Sequence, residues 1–157
     1  MTVDKMLMKT LRDEKRRDEL VARINALTPD AAARWGRMSV AQMLSHLVQS
    51  GELPFVASVP DRSNWAARTL LKPLVLYVLP IPKEVKTSSA IDQQQDGRKP
   101  VDFESDRASV IGSITKIGTL HETERCLDHP MFGRMSAKQW AVIAHKHIDH
   151  HLRQFGV

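Results

Sequence analysis

A chain of 157 residues with 42% hydrophobic and 26% charged residues has the size and balance of one globular domain. It is long enough to bury roughly 70% of its unfolded surface without a disulfide or metal holding it together. Lys and Arg number 23 against 18 Asp and Glu, a net charge of +5, and these charges are too intermixed to single out a nucleic acid as partner. The lone Cys126 excludes an internal disulfide. Met1-Thr-Val-Asp-Lys5 carries no apolar signal segment, so a reducing cytoplasm is the expected setting.

Few aromatics, 7 glycines and 8 prolines favour helices over strands and turns. Met1 to Lys9 reads as a frayed or short extra segment. The first helix is expected from Asp13 to Leu27, where Leu20, Val21, Ile24 and Leu27 recur at helical spacing. The mixed charges of Arg12 to Glu19 give it a solvated face. Thr28-Pro29-Asp30 reads as a cap opening a short turn through Ala31 to Ala33. Ser39 followed by Gln42 has the form of a capping box. It should start a second helix, Val40 to Leu53, with Val40, Met43, Leu44, Leu47 and Val48 inward. On this wheel His46 sits on the flank of the apolar stripe, half exposed.

Pro54 and Pro60 interrupt the chain before a third helix, Trp65 to Leu79. Leu70 to Pro82 is the most apolar run, but it is shorter than the ~20 residues a membrane-crossing helix needs. A buried or partly buried helix kinked at Pro73 is expected in preference to membrane attachment. Pro80 to Pro100 shows no period and reads as a long connection, a kind that is usually functional or mobile. A fourth helix, Asp102 to Ile117, is marked by Phe103, Val110, Ile111, Ile114 and Ile117. The polar loop Leu120 to Pro130 carries His121, Cys126 and His129. It reads as solvated rather than as the rim of a site, with Cys126 a passive small residue rather than a nucleophile.

The chain echoes itself once. Trp35-Gly-Arg-Met-Ser-Val-Ala-Gln42 is matched by Phe132-Gly-Arg-Met-Ser-Ala-Lys-Gln139. Each copy opens on an aromatic, turns at glycine and ends in a Ser-x-x-Gln cap that launches a histidine-bearing helix.

The last helix, through Trp140 to Phe155, holds four of the seven histidines. At about 100° per residue, Trp140, Ile143, Ala144, Ile148 and Phe155 share one face. His147 and His151 lie near the middle of that face, and Lys146, Asp149 and Arg153 project from the other side. Inward imidazoles at i and i+4 can converge on one ion; simple core packing is the competing account. With His46 they form a three-histidine set, whose nitrogen ligands suit Zn, Ni, Fe or Cu. Three neutral imidazoles leave an ion its full charge and an open position, where a water or a thiol would lose a proton readily.

The spacing His147-x-x-His150-His151-x-x-Gln154, with His46 in Met43-Leu-Ser-His-Leu47, resembles the DinB-like superfamily of metal-binding four-helix bundles. The Trp35-to-His46 start and the His150-His-Leu-Arg-Gln-Phe-Gly156 ending are similar to one branch, catalogued only as a domain of unknown function. The resemblance covers essentially the whole chain, and its termini carry the specificity. It implies an all-α, up-down-down-up bundle whose long crossover is the Pro80–Pro100 connection or the segment before it. It also implies a divalent transition metal (Zn, Ni or Fe) on His46, His147 and His151. Characterised relatives include S-transferases and isomerases that use bacillithiol, mycothiol or glutathione, and a module of ergothioneine-synthesis enzymes. A low-molecular-weight thiol cosubstrate and a small-molecule substrate are therefore implied; nucleic acid is not, and a homodimer is left open. The Arg-Gly that usually follows the final histidine reads Leu152-Arg153 here, and no thiol-pocket residue carries over. His150 is the best spare candidate for acid–base work. Gln154 is either a hydrogen-bond partner of a ligand imidazole or a core-edge amide. Two functions follow: a metal-dependent thiol transferase or hydrolase, or a non-catalytic, stress-associated bundle with a structural or absent metal.

Overall fold

The long helices of this chain start where a side chain can satisfy N–H groups that have no partner inside the helix. The computed structural model describes residues 8–157. Among these it contains α1 (Glu14–Asn25), α2 (Val40–Glu52), α3 (Lys72–Tyr77), α4 (Phe103–Gly118) and α5 (Ala137–Gln154), with no strand. The segment expected at Met1 to Lys9 lies outside the described residues as far as residue 7. Asp13 caps α1 through the Lys15 N–H at 3.0 Å, and Asp102 caps α4 through the Ser105 N–H at 2.8 Å. Both capping boxes are closed. Ser39 Oγ accepts from the Gln42 N–H at 3.2 Å and Gln42 Oε1 from the Ser39 N–H at 2.9 Å. Ser136 and Gln139 repeat this at 3.2 and 3.0 Å. Such caps each stabilise a helix by about 1 kcal/mol. The glycines that enter both echoed starts have positive φ, 79° at Gly36 and 65° at Gly133, a backbone region other residues visit only at a cost.

The apolar faces behind these caps merge into one core. Leu20 and Ile24 of α1, Met43, Leu44 and Leu47 of α2, Val110, Ile114 and Ile117 of α4, and Trp140, Ala141, Ile148 and Leu152 of α5 are all buried in it. α4 packs on α2 and α1, and α5 touches α1, α2, α3 and α4. Polar ties hold α1 to α5: the Leu11 N–H donates to Ala141 O at 3.1 Å, and Arg23 reaches Asp149 at 2.7 Å and Val157 O at 2.9 Å. The charge run is therefore not wholly solvated, since Arg12 also donates to Leu120 O at 2.9 Å.

The third helix departs from expectation. Pro73 has no N–H, and its ring crowds the carbonyl four residues back. The chain widens into a π-turn over Ala67–Leu71 before α3 begins. Of this segment only Ala67 and Leu76 are buried, whereas Trp65 is 73% exposed, Leu70 62%, Tyr77 51% and Val78 70%. The helix is thus partly buried, one of the two expected outcomes, and its outer side stays uncovered because too few elements lie over it. Lys146 of α5 anchors its C-terminal end, donating to Val75 O at 2.6 Å and Leu79 O at 2.8 Å. No helix among the described residues is long and apolar enough to cross a membrane.

The Pro80–Pro100 connection has one short 3₁₀ turn, Ser89–Ile91, and is held mainly by side chains of α2 and α4. Gln49 Nε2 donates to Ala90 O at 2.8 Å and Ser45 Oγ to Arg98 O at 2.8 Å. Arg98 pairs at 2.8 Å with Asp106, which is 1% exposed. Such a pair needs both partners, because a lone buried carboxylate is strongly unfavourable.

The loop before α5 also corrects a reading. His121 is exposed, but His129 is not solvated: its ring stacks on Phe132 at 4.7 Å and packs on Trp140 at 5.2 Å. Its Nδ1 accepts the N–H groups of Met131 at 3.1 Å and Phe132 at 3.3 Å. Burial pushes its pKa down from 6.5 to about 4. The unfolded chain takes up a proton near pH 6.5, while the folded imidazole resists until about 4. His129 therefore contributes stability above that window and loses it as pH falls from 6.5 to 4. His129→Ala should cost about 1–2 kcal/mol at pH 7 for the two lost hydrogen bonds. Urea unfolding of both proteins should show that gap closing by pH 4; a gap independent of pH would exclude the neutral, accepting imidazole.

Candidate metal centre

The capped helices deliver three imidazoles to one place. His46 is the seventh residue after the Ser39 cap, and His147 and His151 are the eleventh and fifteenth after Ser136. All three numbers fall on one helical stripe. His147 Nε2 lies 3.1 Å from His46 Nε2 and 3.1 Å from His151 Nε2. One ring nitrogen from each residue lies within 4.8 Å of the others. The rings stand edge to face, with centroids 4.9, 4.9 and 4.7 Å apart.

Hydrogen bonds behind two of the rings decide where their protons sit. His46 Nδ1 faces Gln93 Oε1 at 3.0 Å and Ile91 O at 3.2 Å. Gln93 is itself oriented, its Nε2 donating to Gln49 Oε1 at 3.1 Å and Arg98 O at 3.3 Å. His151 Nδ1 faces Gln154 Oε1 at 2.7 Å, and Gln154 Nε2 donates to Trp35 O at 2.7 Å. Both Nδ1 atoms meet oxygen acceptors, so both carry the proton and both Nε2 atoms present lone pairs inward. His147 Nε2 can donate one proton to one of them. The other lone pair is left facing it across 3.1 Å, an arrangement a cation would resolve. Three nitrogens on metal bonds of ~2.0–2.1 Å would lie ~2.8–3.4 Å apart for right-angle to tetrahedral geometry, a range that includes both 3.1 Å contacts.

Electrostatics keep this set neutral. Burial holds His147 well below its ordinary pKa, and the neighbouring His151, His46, His150 and His129 push the same way. Burial, then His46, takes His151 down to about 3. His46 is lowered chiefly by burial. At neutral pH all three are unprotonated at one nitrogen, the state in which imidazole ligates a metal.

His46 is 6% exposed, not half exposed as its wheel suggests. The connection after α3 folds back over α2 and lays Ile91 and Gln93 against the ring. Gln93 and Gln49, both buried, were not legible as site residues; the only trace was a polar Gln93-Gln94-Gln95 run without period. Gln154 takes the imidazole-holding role. Its place depends on Gly36, where an added Cβ would lie 2.7 Å from Gln154 Nε2.

His150 is 7% exposed and edge-on to His151 at 5.1 Å and to Trp35 at 5.7 Å. Burial lowers its pKa, while a backbone hydrogen bond at Ile81 works against that. Lys83 lies 4.9 Å over the Trp35 ring. The indole Nε1 atoms of Trp35 and Trp140 are buried with no hydrogen-bond partner. His145 is buried at 4% and stands apart from the cluster, toward Asp149 and the cations of α1, with its pKa pushed down to about 4 by burial. Cys126 is half-buried, and burial raises its thiol pKa, which disfavours a nucleophilic thiolate.

Residues 9–156 match a family model described as "Protein of unknown function (DUF1569)". No curated protein and no solved structure matches the chain.

The tautomers are directly measurable. Long-range ¹H–¹⁵N spectra of the metal-free protein at pH 7 should show His46 and His151 protonated at Nδ1. Gln154→Leu should release His151 into a mixture while leaving His46 unchanged. An Nε2-protonated His46 and His151 in the wild type would overturn the inward lone pairs.

Proposed function

This chain belongs to the DUF1569 family, and we propose that it is a metal-dependent enzyme in which His46, His147 and His151 hold one divalent transition ion, Zn, Ni or Fe. In this reading the helices form one DinB-like, up-down-down-up domain over residues 1–157, with Pro80–Pro100 as its crossover. The substrate is a small molecule in the cytoplasm. The observation that carries the proposal is the convergence of His46 Nε2 and His151 Nε2 on His147 Nε2, each at 3.1 Å, the first two with lone pairs fixed inward from behind.

Bound there, the ion would supply Lewis acidity, easing loss of a proton from a low-molecular-weight thiol or water for S-transfer, isomerisation or hydrolysis. The protein's own residues do the rest. Gln93 and Gln154 hold two rings in orientation, so the site needs little rearrangement when it fills. The cluster contains no carboxylate, so the spare imidazole of His150 is the group available to take or return a proton. The nitrogen ligands and open position suit catalysis better than a closed structural site.

Metal analysis of untagged protein should find one transition ion per chain, released as pH falls and the imidazoles protonate. His147→Ala should lose the ion together with any activity in a screen pairing bacillithiol, mycothiol or glutathione with electrophiles. Its circular dichroism should stay helical, because the apolar core does not run through the ion. His121→Ala, at an exposed histidine, is the control and should behave as wild type. His145→Ala is unsuited to that role, since it would hollow the core. Equimolar metal in a His147→Ala, His151→Ala double variant would refute these ligands. Unfolding of the wild type on chelation would make the ion structural and displace the enzyme reading.

A further inference from the structure

The exposed face of the third helical segment is an apolar feature that the histidine site does not use. Leu70, Leu74, Tyr77 and Val78 follow one another along its outer side, exposed by 62, 41, 51 and 70%, with Trp65 at one end at 73% and Leu79 at the other at 42%. Together they form an exposed apolar stripe along one helix, and a sizeable apolar patch of this kind often marks an interaction surface. An aromatic residue near each end of a leucine-rich stretch is the arrangement that settles at a membrane–water interface.

Charge identifies what would cover it. Between Asp61 and Lys86 lie Arg62, Arg68, Lys72, Lys83 and Lys86 against only Asp61 and Glu84, a net +3 of the chain's +5. Arg68 is engaged by Asp61 at 3.3 Å, and Lys72 donates to Arg134 O at 2.9 Å. Arg62, Lys83 and Lys86 are exposed and have no ion-pair partner among the described residues, although Lys83 lies over the Trp35 ring. A second copy of the chain would bring this excess against its own like. A nucleic acid would find few hydrogen-bond donors on the apolar stripe. An anionic bilayer surface answers both the leucines and the lysines.

We propose that the segment Trp65–Lys86 docks this protein on an anionic membrane surface, the helix lying in the headgroup layer with Leu70, Leu74 and Val78 inserted and Lys83 and Lys86 on the lipid phosphates. The helix lies on the bilayer and does not span it. Lys146, bonded to Val75 O and Leu79 O, fixes the docked helix to α5. The inference stands apart from the metal reading and does not need it.

The full-length protein should co-sediment with vesicles of phosphatidylcholine mixed with phosphatidylglycerol and stay in solution with phosphatidylcholine alone. The emission of wild-type protein should shift to the blue on binding, and Trp65→Phe should lose that shift. A Leu70→Glu, Leu74→Glu double variant should abolish sedimentation. Lys83→Glu with Lys86→Glu should weaken it about tenfold or more, as should raised salt. All these side chains are exposed, so circular dichroism should be unchanged, and that check separates lost docking from lost folding. No sedimentation with anionic vesicles, or sedimentation unaffected by the leucine changes, overturns the proposal. So does a dimer in sedimentation velocity that disappears with the leucine changes while vesicles bind nothing, for the stripe would then be a self-association face.

Discussion

Two amide oxygens, Gln93 Oε1 and Gln154 Oε1, fix the arrangement on which the rest of the site depends. Each holds an imidazole by its Nδ1 proton and turns its lone pair toward His147. His147 Nε2 carries at most one proton for two lone pairs, so one buried lone pair stays unpaired unless a cation is shared among the three nitrogens. The surrounding structure supplies the restraint. Gln93 is locked by Gln49 and Arg98, and Arg98 is locked by buried Asp106. Gln154 is locked by Trp35, beside a glycine that leaves it room. The site is thus held by α2, α4, α5 and the connection together, although only α2 and α5 contribute imidazoles.

What could be read from the sequence was what is decided locally. The capping boxes at Ser39 and Ser136 involve residues three apart, so the starts of α2 and α5 were legible to the residue. His147 and His151 were legible because a four-residue spacing places them together whatever packs on top. His46 shows the limit. Its wheel position made it half exposed, and only a connection returning from residues 91 and 93 covers it. Nothing in the neighbourhood of residue 46 announces that cover. Gln93 was invisible for the same reason, since an aperiodic polar run carries no sign of what it will touch.

The third helix was legible only in part. An apolar run states that a segment would rather leave water, but not what it will leave water for. The expectation was a buried or partly buried helix; the fold buries Ala67 and Leu76 and places Leu70, Tyr77 and Val78 on the outside. His129 was misread at smaller scale: a histidine in a polar loop was read as solvated, and two backbone N–H groups and two aromatic rings claim it. In each case the missing information was the partner, which only the tertiary structure supplies.

The distance along the chain between His46 and His147, 101 residues, bears on when this site can exist. Caps and single helices form within about a microsecond, because they join near neighbours. Contacts between distant residues wait on loop closure and dominate the slow part of folding. During synthesis His46 and Gln93 are in place long before α5 has been made, and an isolated imidazole on a half-built bundle has no selectivity among metals. Any selection of an ion by this cluster would follow the docking of α5. The cell's pool of free ions at that moment, rather than during elongation, would then decide what the three nitrogens first meet.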